Sequence, residues 1–217
     1  MATNALLVGP PRRPIDGRAD LWAARVDKWT RLEPVNAVTL RPVEEDDLEA
    51  MARFSVEPDA LGEFEWTGFT DPRGLRRRWE EDGLLADDSS FLAVVTPDGI
   101  FAGCVSWRSA PITPTRGAPR RASSILHLDI GIALLPEHRG KGYGSAAQAA
   151  LVDYLFATTA VHRIQATTEA GNLAEQKALE KVGFRREGVM RAVGYRAGRW
   201  VDGVIYSLLR HDERPSR

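Results

Sequence analysis

Two hydrophobic periods share this chain, and the points where one gives way to the other mark its elements. Residues 38–43 (VTLRPV) alternate as a strand does, and the acidic run 44–47 puts negative charge where a helix begins, predicting a helix through about Phe54. A second helix starts at Asp71 and Pro72, a cap and a first-turn proline. Leu75, Trp79 and Leu84 recur in it at helical intervals before Gly83 and the polar run 87–90 weaken the pattern. Between these helices lies LGEFEWTGFT, residues 61–70, aromatic and acidic together. Residues 91–95 and 100–107 read as β-runs joined by Thr96-Pro-Asp-Gly99, with proline and glycine where a hairpin turn needs them. Downstream the pattern predicts a strand over 125–135, a strongly apolar helix over about 143–156 and a strand over 162–168. A short helix over 173–181 ended by Gly183 follows, then strands near 184–190 and 204–210. Ahead of all these, Trp22 and Trp29 share one face of a short helix over 19–30, which packs against the domain or a second subunit, or serves as a lid. The Pro/Arg/Gly loop 110–123 is expected to be mobile.

The chain has 217 residues, 43% hydrophobic and 27% charged, which suits one soluble domain whose core needs no disulfide or metal staple. No apolar run is long enough for a membrane helix. The short patch 5–8 is followed by Pro10, Pro11, Arg12 and Arg13 rather than preceded by positive charge, so no signal peptide and a cytoplasmic location are expected. Cys104 is the only cysteine, which excludes an internal disulfide and a cysteine-based zinc cluster. The histidines, His127, His138, His162 and His211, have no metal-ligand spacing, and no metal is expected. A net charge of −1 argues against nucleic acid or an anionic membrane as partner.

The strand over 125–135 runs into PEHRGKGYGS, residues 136–145. Gly140, Gly142 and Gly144 let the backbone approach a ligand, and the unpaired N–H groups of the next helix turn toward the same point. Arg139 and Lys141 add positive charge. Such a site suits a phosphate or pyrophosphate; the alternative is a tight turn with solvated basic side chains. A Walker A loop fails because Gly140-Lys141 is followed by Gly142, and a dinucleotide fingerprint fails because Ser145 stands where its third glycine should be. What fits is Arg-x-x-Gly-x-Gly, met by Arg139, Gly142 and Gly144, and here the sequence resembles the GNAT family of acyl-CoA-dependent N-acetyltransferases. The resemblance runs in family order over roughly 38–210. It takes in the first strand and two helices, the apolar strand, Pro136, the glycine loop, the apolar helix, Asn172 and the Lys181-Val-Gly-Phe184 ending. Asn172, that ending and the closing run WVDGVIYSLLR, residues 200–210, resemble the RimJ/RimL-type branch.

The resemblance implies an α/β (α+β) domain over 37–212, between an extension over 1–36 and a tail over 213–217. Its sheet would be mixed and mostly antiparallel, flanked by helices, with the fourth and fifth strands splayed and acetyl-CoA as co-substrate in the opening. Carried over to this chain, the pyrophosphate falls on the backbone of Arg139, Gly140, Lys141, Gly142, Tyr143, Gly144 and Ser145, and the pantetheine arm on Ile132, Ala133, Leu134 and Asn172. Asn172 is also a good helix cap in its own right.

Amine acetylation needs a neutral amine, a base to make it so, and a backbone N–H near Ala133 or Leu134 for the oxyanion. Asp129 stands where relatives carry a glutamate and shares a strand face with His127, the second candidate base; both also read as structural. Where similar enzymes place a serine to protonate the departing thiolate, this chain has Glu175. That residue is an acid only if its pKa is raised, and otherwise serves the helix dipole; Tyr143, Tyr195 and Tyr206 are possible substitutes. Glu63, Glu65 and Trp66 are candidate acceptor-binding residues, or part of a solvated loop. The expected acceptor is the primary amine of a small molecule, with a peptide N-terminus as the alternative and a non-catalytic acyl-CoA-binding module as a third reading. The assembly is expected to be a monomer or homodimer.

Overall fold

The computed structural model describes residues 38–86, 89–111 and 126–215. The proposed tryptophan helix over 19–30 and most of the 110–123 loop lie outside them. Strand β1 (Thr39–Arg41) leads into helix α1 (Asp47–Val56), which buries Leu48 and Met51. Arg41 donates to both carboxylate oxygens of the buried Asp47, at 2.6 and 2.9 Å, so one bidentate pair fixes the angle between strand and helix. After the short α2 (Pro58–Leu61), helix α3 (Pro72–Asp82) starts and stops as its sequence dictates. The Asp71 side chain accepts from the Arg73 N–H at 3.0 Å, Pro72 occupies the first turn, and Gly83 closes the helix at φ 66°.

Strands β2 (Ser89–Val95) and β3 (Phe101–Pro111) form the expected hairpin, its turn closed by the Thr96 N–H donating to Ile100 O at 2.9 Å. Then come β4 (Leu126–Leu134), a 3-10 turn (Pro136–His138), α4 (Tyr143–Thr158), β5 (Arg163–Glu169) and α5 (Leu173–Val182). The chain finishes in a long hairpin of β6 (Arg185–Arg196) and β7 (Arg199–Leu209). The sequence pattern stopped both of these strands short. They meet at Ala197 and Gly198, both with positive φ (48° and 81°), a turn whose twist matches that of the strands it joins.

The seven strands form one sheet in the order β1-β2-β3-β4-β5-β7-β6, antiparallel throughout except for the β4–β5 pair. Strand alternation divides the core between its faces. Ala93, Val95 and Cys104 pack with Val43, Leu48, Met51, Leu75 and Trp79 on the α1/α3 side. Trp107, of opposite parity to Cys104, meets Tyr154 of α4 at 5.8 Å between ring centroids. Helices α4 and α5 supply that layer with Leu151, Val152, Leu155, Leu179 and Val182, all buried.

Candidate active site

The expected splay is written in the register. Strand β4 pairs with β3 along its whole length, but with β5 only at Leu128↔Ile164 and Asp129↔Gln165. Beyond that point residues 130–134 and 166–169 diverge, leaving the β5-facing edge of β4 unpaired. At the wide end the glycine loop turns the chain from β4 into α4. Gly140 (φ 72°) and Gly142 (φ 82°) are both left-handed, and Gly142 caps α4 without a side-chain acceptor for its first-turn N–H groups. A Cβ on Gly140 would meet nothing within 4 Å, and one on Gly144 would lie 3.8 and 3.9 Å from Leu134 and Ile132. The uncapped start of α4, with Tyr143, Gly144 and Ser145, therefore sits over the last residues of β4 around Ala133. This loop can hold an anion on its backbone.

The Arg139 side chain is not part of that anion site, contrary to the expectation that its charge would serve the loop. Its Nε donates to Leu134 O at 2.9 Å, and its two terminal nitrogens donate to Asp59 O (3.3 Å) and Ala60 O at the end of α2. Lys141 stays exposed and supplies the loop's positive side chain. From this tie at β4, residues 62–70 run as a strap to the end of β5. There Phe64 lies 3.3 Å from where a Cβ on Gly171 would be. Arg196 of β6 donates to Trp66 O at 2.5 Å and, through Nε, to Glu169. Trp66 itself packs edge-on against the exposed Phe69, with centroids 5.2 Å apart.

Carboxylates gather where the strap meets β5 and α5. Asn172 caps α5, its side-chain oxygen accepting from the Glu175 N–H at 3.2 Å, while its own N–H donates to Glu169 O. The sequence Asn-x-x-Glu would normally close a reciprocal box between these two residues. Here the Glu175 carboxyl turns to Gln148 of α4 instead, accepting from its Nε2 at 2.5 Å. Desolvation pushes the Glu175 carboxyl up to about 7; the Gln148 hydrogen bond opposes the rise and the charge of Glu65 adds to it. Glu65 is also held above the ordinary carboxylate range by desolvation; Arg196 pulls against the rise and the charge of Glu169 adds a smaller push. Glu63 is exposed. Glu175 is half-buried rather than exposed on its helix's first turn.

Of the three tyrosines, two are engaged or placed away from the glycine loop. Tyr206 is fully buried with its hydroxyl donating to Glu180 at 2.9 Å, Tyr195 is exposed against Trp200, and Tyr143 lies at the loop near His138. Cys104 is buried in the core, its thiol pushed up to about 12 by desolvation, so it is no nucleophile.

At the narrow end Asp129 occupies the last paired position before the strands part, on the same face as Gly131 and Ala133. Its oxygens lie 3.3 Å from His127 Nε2 and 3.4 Å from Arg108 Nε. Asp129 Oδ1 and His127 Nδ1 are buried and make no hydrogen bond among the described residues. Gln148, Glu169 and Arg196 belong to the site's surroundings without having been singled out. Gln148 hid inside an apolar helix, and the other two stand at strand ends beyond the points where the pattern stopped.

The profile of the acetyltransferase (GNAT) domain matches residues 37–185. The chain belongs to the GNAT family. It is an N-acetyltransferase, which sets aside the non-catalytic reading. Among curated relatives, this GNAT chain is 26% identical to the uncharacterized N-acetyltransferase p20 of Bacillus licheniformis, over 81% of its own length and 94% of the relative's. Among solved structures it is similar to spermidine N-acetyltransferase from Vibrio cholerae in complex with CoA and spermine (19% identity, TM-score 0.66, 80% and 95% of the two chains). It is also similar to Mycobacterium smegmatis RimJ in complex with CoA-disulfide (26%, TM-score 0.60, 81% and 83%). A third is the ribosomal L7/L12 α-N-protein acetyltransferase RimL in complex with CoA (18%, TM-score 0.64, 81% and 95%). Among the described residues no helix is long and apolar enough to cross a membrane.

Proposed function

We propose that this GNAT enzyme transfers the acetyl group of acetyl-CoA to the primary amine of a small cationic molecule, by direct attack in a ternary complex. The observation that carries the acceptor class is the acidic, aromatic strap, with Glu63 and Glu65 beside Trp66 and Phe69, and with Glu169 at the end of β5 already paired to Arg196. Such a mouth attracts an ammonium ion and repels an anion. The donor fits the opposite wall. Left-handed glycines, an uncapped helix start and an unpaired edge on residues 130–134 suit a pyrophosphate followed by an extended amide-bearing arm.

Acetyl-CoA supplies an acyl group already activated as a thioester, so the protein's work is positioning and proton movement. Asp129, at the point where the strands part, takes the proton from the ammonium, with His127 beside it to share the charge. The N–H groups near Ala133 or Leu134 stabilise the negative charge that develops on the acyl oxygen. Glu175 holds a proton near neutral pH and delivers it to the departing sulfur, while the second proton of the attacking nitrogen leaves to water as the amide forms. The Asn172 side chain keeps its amide N–H₂ for the pantetheine arm while its oxygen caps α5. A cytoplasmic location suits this co-substrate.

The V. cholerae neighbour is named for a polyamine and RimL for a protein N-terminus, so the test is release of CoA thiol with two acceptor pools, small amines and short peptides with free N-termini. Turnover with small amines supports the proposal. Turnover confined to peptides replaces it with N-terminal protein acetylation.

A further inference from the structure

Helix α4 is apolar along its buried side except at Gln148, whose side chain is 1% exposed. A buried amide is tolerated when its donors and acceptor are met. Here Nε2 donates to Glu175, while Oε1 is buried and has no partner among the described residues. The amide is planar, with Oε1 and Nε2 side by side on one edge, the edge a carboxylic acid can meet at two points. Glu175 is equally committed: its backbone N–H goes to Asn172, and its carboxyl has Gln148 as hydrogen-bond partner among the described residues.

We propose that Gln148 is a positioning residue for Glu175, forming with the protonated carboxyl a two-point pair in which Nε2–H donates to one oxygen and Oε1 accepts the acid's O–H. This rests on the reading of Glu175 as the group that protonates the thiolate. Ionised Glu175 leaves Oε1 unpartnered; protonated Glu175 satisfies both edges. The amide thereby fixes the plane of the carboxyl and holds its proton on Oε1 until the thiolate, a stronger acceptor, takes it. When the proton moves to sulfur, Gln148 keeps one bond to the carboxylate, and the acid is recharged from solvent in the same orientation.

The experiment is a double-mutant cycle on the full-length enzyme with acetyl-CoA and an active amine, using Gln148→Met, Glu175→Gln and the pair, with Gln148→Leu as a second apolar variant. Gln148→Met is expected to lower kcat by about tenfold while leaving the Kd for CoA, read by calorimetry, within about twofold. In the Glu175→Gln background it should have no further effect, because its action runs through Glu175. Losses that multiply, or a kcat unchanged by both apolar variants while Glu175→Gln is impaired, would overturn the pairing and leave the acid in place. A Glu175→Gln enzyme with undiminished kcat would overturn both the acid and its positioning residue.

Discussion

Replacing Glu175 with Gln keeps the shape of the side chain and its hydrogen bond from Gln148 but removes the charge, and the consequence for stability depends on pH in a definite direction. In the unfolded chain this carboxyl ionises near its ordinary 4.5; in the fold it does so at about 7. Between those values the folded chain holds a proton that the unfolded chain has released, so stability falls as pH rises through the window. The full difference at about 1.4 kcal/mol per unit, discounted for the screening of a partly exposed group, makes ionised Glu175 cost about 2 kcal/mol at pH 8. For a chain of this size that is about 4–8 °C in melting temperature. Differential scanning calorimetry of both proteins without ligand should therefore find nearly equal melting temperatures near pH 4.5. The Gln variant should pull ahead as pH rises to 8. Other groups titrate alike in the two proteins and cancel. A difference that stays flat with pH, or a variant that melts below the wild type at pH 8, would refute the claim that the ionised carboxyl is desolvated.

Three further expectations concern the opening itself. Gly142→Val places a β-branched residue at φ 82° in the anion loop and should weaken CoA binding by at least about tenfold in calorimetry; unchanged affinity would reject the loop assignment. Asp129→Ala should lower kcat by about a hundredfold with little change in acetyl-CoA affinity, and a rate unaffected from pH 6 to pH 9 would remove it as the base. Gly103→Ala puts a Cβ 2.1 Å from Ala133 O, which β4 cannot relieve without moving, so it should cost about 3 kcal/mol in urea unfolding; a loss under about 0.5 kcal/mol would contradict the close approach of β3 and β4.

The elements legible from sequence are those governed by short-range rules. Asp71, Pro72 and Gly83 bound α3, Thr96 to Gly99 turns the hairpin, and the glycines mark the passage from β4 to α4. What could not be read depends on partners distant in the chain. Arg139 looked like a loop cation because nothing local says that the carbonyls of Asp59 and Ala60, some eighty residues away, would claim its guanidinium. Glu175 looked like a first-turn acid because its burial is imposed by α4 and the strap, not by its own helix. Strands β6 and β7 outran their apolar pattern because pairing with each other, rather than burial, sustains them through exposed Val193, Tyr195 and Trp200.

The two arginines that tie residues 59–66 across the diverging strands grip main-chain oxygens there, at Asp59, Ala60 and Trp66. A carbonyl is the same whatever residue carries it. The side chains of Glu63, Glu65, Trp66 and Phe69 take no part in that attachment, so on the proposed function substitutions among them should change acceptor selectivity without loosening the hold. On that proposal acceptor choice is an exchangeable cassette fastened by its backbone, so selectivity could be re-evolved or re-engineered in one stretch of chain while donor binding and the sheet stay as they are.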